Sequence, residues 1–87
     1  MALLRATTQT LSDSYGAAVV IPIGWENITA RLDDSDRELI VEIEGIKQEN
    51  GTGEWSLTSP GSSTSNAVSL RFKSDSGTPV VSVLWFQ

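Results

Sequence analysis

The stretch AVSLRFK, residues 67–73, decides the fold class, because polar and apolar side chains alternate along it. Val68, Leu70 and Phe72 fall on one face, and a period of two is typical of a half-buried β-strand. The same alternation runs through NITARL, residues 27–32. In VVSVLWF, residues 80–86, both faces carry apolar side chains, which suits a central strand or one whose outer face meets a partner.

Turn-forming residues separate these runs. SDSG at 74–77 is a turn pattern, SPGSSTSN at 59–66 is a polar loop, and Asn50-Gly51 within NGTG predicts a hairpin. Seven strands are therefore predicted, at about 2–10, 15–23, 26–33, 37–48, 53–58, 66–73 and 79–86. The sequence predicts one all-β domain over residues 1–87, either an antiparallel β-sandwich or a small barrel.

One segment also fits a helix. Ser35-Asp36-Arg37-Glu38 has the form of a capping box, and Leu39, Ile43 and Ile46 have the spacing of a helix face. Several of its apolar residues are β-branched, and Gly45 interrupts the run, which favours a strand. If this segment is a strand, Gly45 is a candidate β-bulge.

Composition excludes several functions. The 87 residues include 6 Lys and Arg against 11 Asp and Glu, a formal net charge of −5. The basic residues are spread along the chain, so neither nucleic acid nor an anionic membrane is an expected partner. The longest nearly apolar run, residues 16–23, is too short to span a bilayer. No secretory signal is apparent, which predicts a protein made in the cytoplasm.

Catalysis and cofactors are also not expected. The chain has no His and no Cys, so the usual triads and Cys/His zinc sites are excluded. Asp33, Asp34 and Asp36 cluster in one segment, but this segment lacks the glycine and distal glutamate of a calcium loop. We interpret it as a solvated turn, and a bound ion there remains an open alternative. The prediction is a non-enzymatic protein without a cofactor.

The small core favours burial against a partner. A chain of this length buries about 63% of its unfolded surface, and no disulfide can supplement that core. Apolar residues also lie at positions where a strand with one buried face would be polar. Among the tryptophans, we expect Trp25 to be exposed, because it is next to Glu26 and Asn27. Trp55 and Trp85 are expected in the core. The predicted interface residues are Leu3, Leu4, Trp25, Leu84 and Phe86.

The layout resembles the small β-rich structural proteins of tailed-phage particles, which include capsid decoration (cement) proteins and small tail components. The features that carry this resemblance are the short chain, the immediate strand at 2–10, the Ser/Thr/Gly loops at 51–53 and 59–66, and the apolar strand at 80–86. The resemblance implies a non-enzymatic homo-oligomer of the virion, often a trimer, that clamps neighbouring shell subunits. The implied partners are further copies of the chain and a larger capsid or tail assembly.

Two other binding functions remain open. In the first, the chain is a carbohydrate-binding module in which Trp25 and Tyr15 form a stacking platform for sugar rings. In the second, it is a small inhibitor or regulator that presents the loop at 59–66 to a target enzyme.

Overall fold

In the computed structural model, which describes residues 3–58 and 66–87, the chain forms eight strands, and these residues contain no helix. The strands are β1 (Leu4–Thr10), β2 (Val19–Ile21), β3 (Glu26–Leu32), β4 (Glu38–Ile43), β5 (Lys47–Thr52), β6 (Glu54–Leu57), β7 (Val68–Ser74) and β8 (Val80–Phe86). They pair antiparallel in two four-stranded sheets. The first sheet has the order β1-β8-β3-β6 and the second β2-β7-β4-β5. The prediction of an all-β antiparallel fold is confirmed, and the two separate sheets make it a sandwich.

Alternation along the strands builds the core between the sheets. In β7, Val68, Leu70 and Phe72 are buried, and Arg71 between them is exposed, as the sequence predicted. The residues with no exposed surface come from both sheets, so one apolar cluster holds them together. They are Ile21, Ile28, Ala30, Leu39, Val41, Leu70, Phe72, Val81 and Val83. No helix in the described parts of the chain is long and apolar enough to cross a membrane.

The segment at 37–48 is neither a helix nor one strand. It forms β4 and the start of β5, which are joined by a turn at residues 44–46. Glu44 and Gly45 adopt positive φ angles of 55° and 69°, so Gly45 belongs to a turn and the predicted bulge is wrong. Ser69 supports this turn, because its carbonyl accepts a hydrogen bond from the Glu44 amide and its own amide donates one to the Glu44 carboxylate.

The predicted hairpin at residues 50–53 is also wrong. Asn50 and Gly51 lie inside β5, where they pair with Ile40 and Leu39 of β4. The chain then passes at Gly53 from the second sheet to β6 of the first. Two backbone hydrogen bonds hold this crossing, because the amide of Gly53 donates to the Arg37 carbonyl and its carbonyl accepts from the Leu32 amide, each at 2.8 Å.

The predicted strand at 15–23 is shorter in the structure. Only Val19–Ile21 pairs as β2, and Pro22 follows it directly. Residues between β1 and β2 instead cross to the second sheet, where the Gly16 amide donates to the Phe72 carbonyl. Most of the predicted loop at 59–66 lies outside the described residues, so the inhibitor loop hypothesis stays a prediction.

Candidate functional site

Three of the five predicted interface residues meet on the outer face of the first sheet. Leu4 of β1 pairs with Phe86 of β8, and Leu84 lies two positions before Phe86 on the same face. Leu4 is 57% exposed and Phe86 41% exposed, whereas Leu84 is half-buried. We call Leu4, Leu84 and Phe86 the Phe86 patch.

A shallow depression of about 220 Å³ opens beside the Phe86 patch. Its lining combines the three patch residues with polar groups of β3 and the edge of one tryptophan: Leu4, Asn27, Thr29, Arg31, Leu84, Trp85 and Phe86. The volume is below the roughly 300–1,000 Å³ of sites that enclose a drug-sized ligand. The depression is therefore suited to a side chain from another macromolecule.

A β-bulge shapes one wall of this depression. Phe86 pairs with Glu26 of β3, but Leu84 pairs with Thr29, so β3 contains one extra residue at this point. Asn27 adopts a φ of 50° within the bulge. Hydrophobic alternation does not reveal this bulge, although asparagine is among the few residues that adopt this left-handed conformation readily.

The other two predicted interface residues lie elsewhere. Leu3 is 54% exposed, but it precedes Leu4 in an extended chain and so faces the opposite side of the sheet. Trp25 is only 6% exposed and belongs to the core, so the prediction that it is exposed is wrong. Its indole Nε1 donates a hydrogen bond to the Asn66 carbonyl at 3.2 Å.

The sugar-binding platform of Trp25 and Tyr15 does not form. Trp25 is buried between the sheets, whereas Tyr15 lies on β7 of the second sheet. The centroid of the Tyr15 ring is 5.0 Å from Arg71 Cζ and 4.6 Å from Lys73 Nζ, and these cation–π contacts cover the ring. The Tyr15 hydroxyl donates to Gln48 at 3.1 Å. Burial, followed by the nearby Glu42 carboxylate, raises the pKa of Tyr15, while Arg71 lowers it.

The aspartate cluster stabilises turns. Asp33 Oδ1 accepts a hydrogen bond from the Val80 amide at 2.9 Å, and Asp34 Oδ1 accepts one from the Asp36 amide at 3.1 Å. Asp34 Oδ2 also lies 3.2 Å from Arg37 Nε in an ion pair. Across residues 3–58 and 66–87, the fold brings together no group of three His, Cys, Asp or Glu side chains that could hold a metal ion.

A second hollow, of about 450 Å³, runs along β6 and is more polar. Its two charged residues, Arg31 and Glu54, form an exposed ion pair with 3.3 Å between Nε and Oε2. Trp55 forms part of its wall and is buried in the core, which confirms the prediction for this residue. Trp85 is half-buried against the same core.

Glu49 links β5 to the buried Trp55 across the two sheets. Its Oε1 accepts a hydrogen bond from Trp55 Nε1 at 2.8 Å, and its Oε2 lies 2.9 Å from Lys47 Nζ. The hydrogen bond from Trp55, and after it the one from Lys47, lowers the pKa of Glu49 below its ordinary value of 4.5.

The lowered pKa makes this link sensitive to acid. A carboxylate with a depressed pKa contributes stability above its unfolded-state pKa, and this contribution is lost as the pH falls through the folded-state pKa. Glu49→Gln keeps an oxygen acceptor for Trp55 but removes the titration. In urea denaturation at several pH values from 6 to 3, we expect the wild-type advantage in free energy of unfolding to shrink towards pH 3. A constant difference over this range would contradict the assignment.

The chain matches a solved structure but no protein family. No family model matches the chain, and no curated protein matches it. One solved structure that matches is that of Aeromonas hydrophila PliG, described as a periplasmic lysozyme inhibitor of g-type lysozyme. The match has a TM-score of 0.43 and 16% sequence identity, and it covers 99% of this chain and 86% of that one. At this level of similarity, no function or location is transferred to the present protein.

The virion predictions are corrected by these comparisons. The solved structure that matches is described as a periplasmic inhibitor and not as a virion protein. The predictions of a capsid decoration subunit and of a virion location are therefore wrong. The matching protein is described as an inhibitor of another protein, a g-type lysozyme. Only the predicted function and location are corrected. The resemblance in layout to phage structural proteins stays a prediction.

Proposed function

We propose that this chain is a non-catalytic binding domain that contacts a protein partner through the Phe86 patch. The observation that carries the proposal is the exposure of Leu4 and Phe86 on a sheet face where most positions outside the patch are polar. The remaining outward positions of β1, β8 and β3 are mostly hydroxyl-bearing or charged: Thr8, Thr10, Ser82, Thr29 and Arg31. A contiguous apolar patch with a polar rim is the typical anatomy of a protein interface.

The depression beside the patch indicates the chemistry of the partner. Its apolar side is formed by the three patch residues, and its polar side includes Asn27, Thr29 and the Arg31 guanidinium. An apolar side chain of the partner fills the depression, and a neighbouring carboxylate shares the exposed Arg31 guanidinium with Glu54. This arrangement provides a buried apolar anchor beside a polar rim, which is how most interface energy is distributed.

Site-specific photocrosslinking tests this proposal. A photoreactive phenylalanine at position 86 is expected to trap a discrete protein partner in cells that make this chain. The same group at Ile46 is the matched control, because Ile46 is 89% exposed but lies in the turn between β4 and β5 of the other sheet. Equal crosslinking from both positions, or none from position 86, would contradict the proposal.

Phe86→Ser is expected to weaken binding to the trapped partner by about threefold to eightfold. Full burial of a large apolar side chain contributes about 1.5–3 kcal/mol, and the 41% of Phe86 that is exposed is the part that an interface would newly bury, which gives about 0.6–1.2 kcal/mol. The fold should persist, because Phe86 is already 41% exposed. Isothermal titration with the purified partner measures the change, and Ile46→Ser should leave the affinity unaltered.

A further inference from the structure

Among residues 3–58 and 66–87, β1 forms an open edge of the first sheet and pairs with no strand other than β8. Two sets of hydrogen bonds show which residues of β1 bond to β8. At one end Leu3 and Gln87 bond to each other through their backbone groups, and at the other end the Leu11 amide donates to the Pro79 carbonyl. In an antiparallel pair, alternate residues direct both backbone groups towards the partner strand. The odd-numbered residues of β1 therefore bond to β8, and the even-numbered ones direct their amides and carbonyls outward.

The even-numbered residues of β1 thus present unpaired backbone donors and acceptors. They are Leu4, Ala6, Thr8 and Thr10. All four residues are exposed. Within residues 3–58 and 66–87, no turn, loop or side-chain hydrogen bond uses these groups. A row of free amides and carbonyls along seven extended residues is a template for an added strand.

The other three sheet edges are protected, and β1 is not. The strand β2 has three residues and is followed by Pro22, and β6 has four residues. The strand β5 carries Glu49, which reaches across to Trp55 as an inward-directed charge. Short strands, prolines and inward charges are the devices that block edge pairing. The sequence of β1, LRATTQT, has none of them and carries a single charge at Arg5.

We propose that two copies of this chain pair antiparallel through β1, about a two-fold axis at Thr7. With this axis, Leu4 pairs with Thr10 of the second copy and Ala6 with Thr8 of the second copy. All four free positions on each chain are then used, and each pair exchanges two hydrogen bonds. An axis at Ala6 or at Thr8 would leave one free position on each chain unpaired.

The side chains of β1 suit a second copy as the occupant. In the proposed register, Arg5 lies opposite Gln9 of the second copy, so no two like charges face each other. The central pair is Thr7 with Thr7, and threonine is a favoured residue in strands. The contact is isologous, so it closes as a dimer, in contrast to the trimer that the phage resemblance implied.

The dimer would join the two first sheets into one continuous sheet of eight strands. Because the two-fold axis is perpendicular to this sheet, both Phe86 patches would face the same side. If the Phe86 patch binds a partner as proposed above, a dimer with two patches would bind a repetitive or dimeric partner with avidity. The pairing of β1 strands does not depend on the patch.

Light scattering on a sizing column over a dilution series, combined with amide hydrogen exchange, tests the dimer. We expect a mass of two chains at high concentration that falls to one on dilution. The amides of Leu4, Ala6, Thr8 and Thr10 should be protected in the dimer and exchange rapidly in the monomer, whereas those of Arg5, Thr7 and Gln9 should be protected in both. A single-chain mass at every concentration would overturn the proposal, as would a dimer in which the even amides exchange freely.

Thr8→Pro removes one outward amide from each chain while leaving the bonds to β8 in place. Proline is tolerated at an edge position whose amide faces solvent, so the monomer should fold. The loss of two hydrogen bonds per dimer is expected to raise the dissociation constant about thirtyfold. An unchanged dissociation constant would contradict the proposal, and protection of the Arg5 and Thr7 amides would verify that the variant is folded.

Paired charges test the register with matched variants. Because Ala6 lies opposite Thr8 of the second copy, the double variant A6K/T8K places like charges across the axis and should be monomeric. The variant A6K/T8E places opposite charges there and should remain a dimer. Equal association of the two variants would overturn the register. Failure of the proposed function would leave these results unaffected, because neither variant alters Leu84 or Phe86.

Discussion

Trp25→Ala is expected to lower the free energy of unfolding by about 3–5 kcal/mol, the range for removing a buried aromatic side chain. Trp25 is 6% exposed within the apolar cluster, and its Nε1 donates to the Asn66 carbonyl. A domain of 87 residues has a total stability of about 4–13 kcal/mol. The substitution therefore removes a large share of the stability, and the variant should be partly unfolded at 37 °C.

Urea denaturation followed by circular dichroism measures this effect. Trp25→Phe separates packing from hydrogen bonding, because it keeps an aromatic ring but removes the Nε1 donor, and we expect a loss of about 1–2 kcal/mol. Phe86→Ala is the matched control, since Phe86 is 41% exposed and its loss should change stability little. If Trp25→Ala and Phe86→Ala have the same effect, Trp25 is not a core residue.

Trp25 lies next to the polar residues Glu26 and Asn27 and yet is buried, because β3 contains one extra residue. The buried positions Ile28, Ala30 and Leu32 define a phase of two that, extended backwards, would direct residue 25 outward. The bulge at Asn27 shifts this phase by one residue, so Trp25 faces the core. A bulge is a backbone event that hydrophobic alternation does not record, and the one local indication was the tolerance of asparagine for positive φ.

The fold class was predictable because most strands have one apolar face. One exception, β5, explains the main error in the strand boundaries: its sequence KQENGT contains no apolar side chain. Its inward position is held by the Glu49 carboxylate, which bonds to Trp55, and hydrogen bonding replaces the apolar contact there. Because no apolar period marks this strand, the sequence predicts the turn at Asn50-Gly51, whereas the turn lies at Glu44 and Gly45.

The candidate site could be predicted in part. The apolar character of both faces of β8 identified Leu84 and Phe86, and the structure places them together on the outer face. The pairing of β1 with β8, which adds Leu4, depends on strand order, and strand order is not encoded in the periodicity. The interface role of these residues remains a prediction until the crosslinking and affinity measurements are made.

Gly53→Ala is expected to be among the most destabilising single-methyl additions in this chain. Gly53 connects the two sheets with a φ of 75°, and an added Cβ would lie 2.6 Å from the Ser35 carbonyl oxygen and 2.9 Å from Ser35 Cα. The left-handed conformation alone costs an L-residue about 1–2 kcal/mol. The clash is with backbone atoms, so relieving it would displace the backbone at Gly53 and strain its hydrogen bonds to Arg37 and Leu32. We expect this strain to add about 1–3 kcal/mol to the conformational cost.

Gly45→Ala separates these two contributions. Gly45 has a similar φ of 69°, but an added Cβ there would meet no atom within 4 Å. Its cost is therefore conformational only, about 1–2 kcal/mol. The difference between the two variants in urea denaturation measures how tightly residue 35 packs against the crossing. Equal losses would mean that the crossing yields without cost, so that Gly53 would not act as a fixed connection between the two sheets.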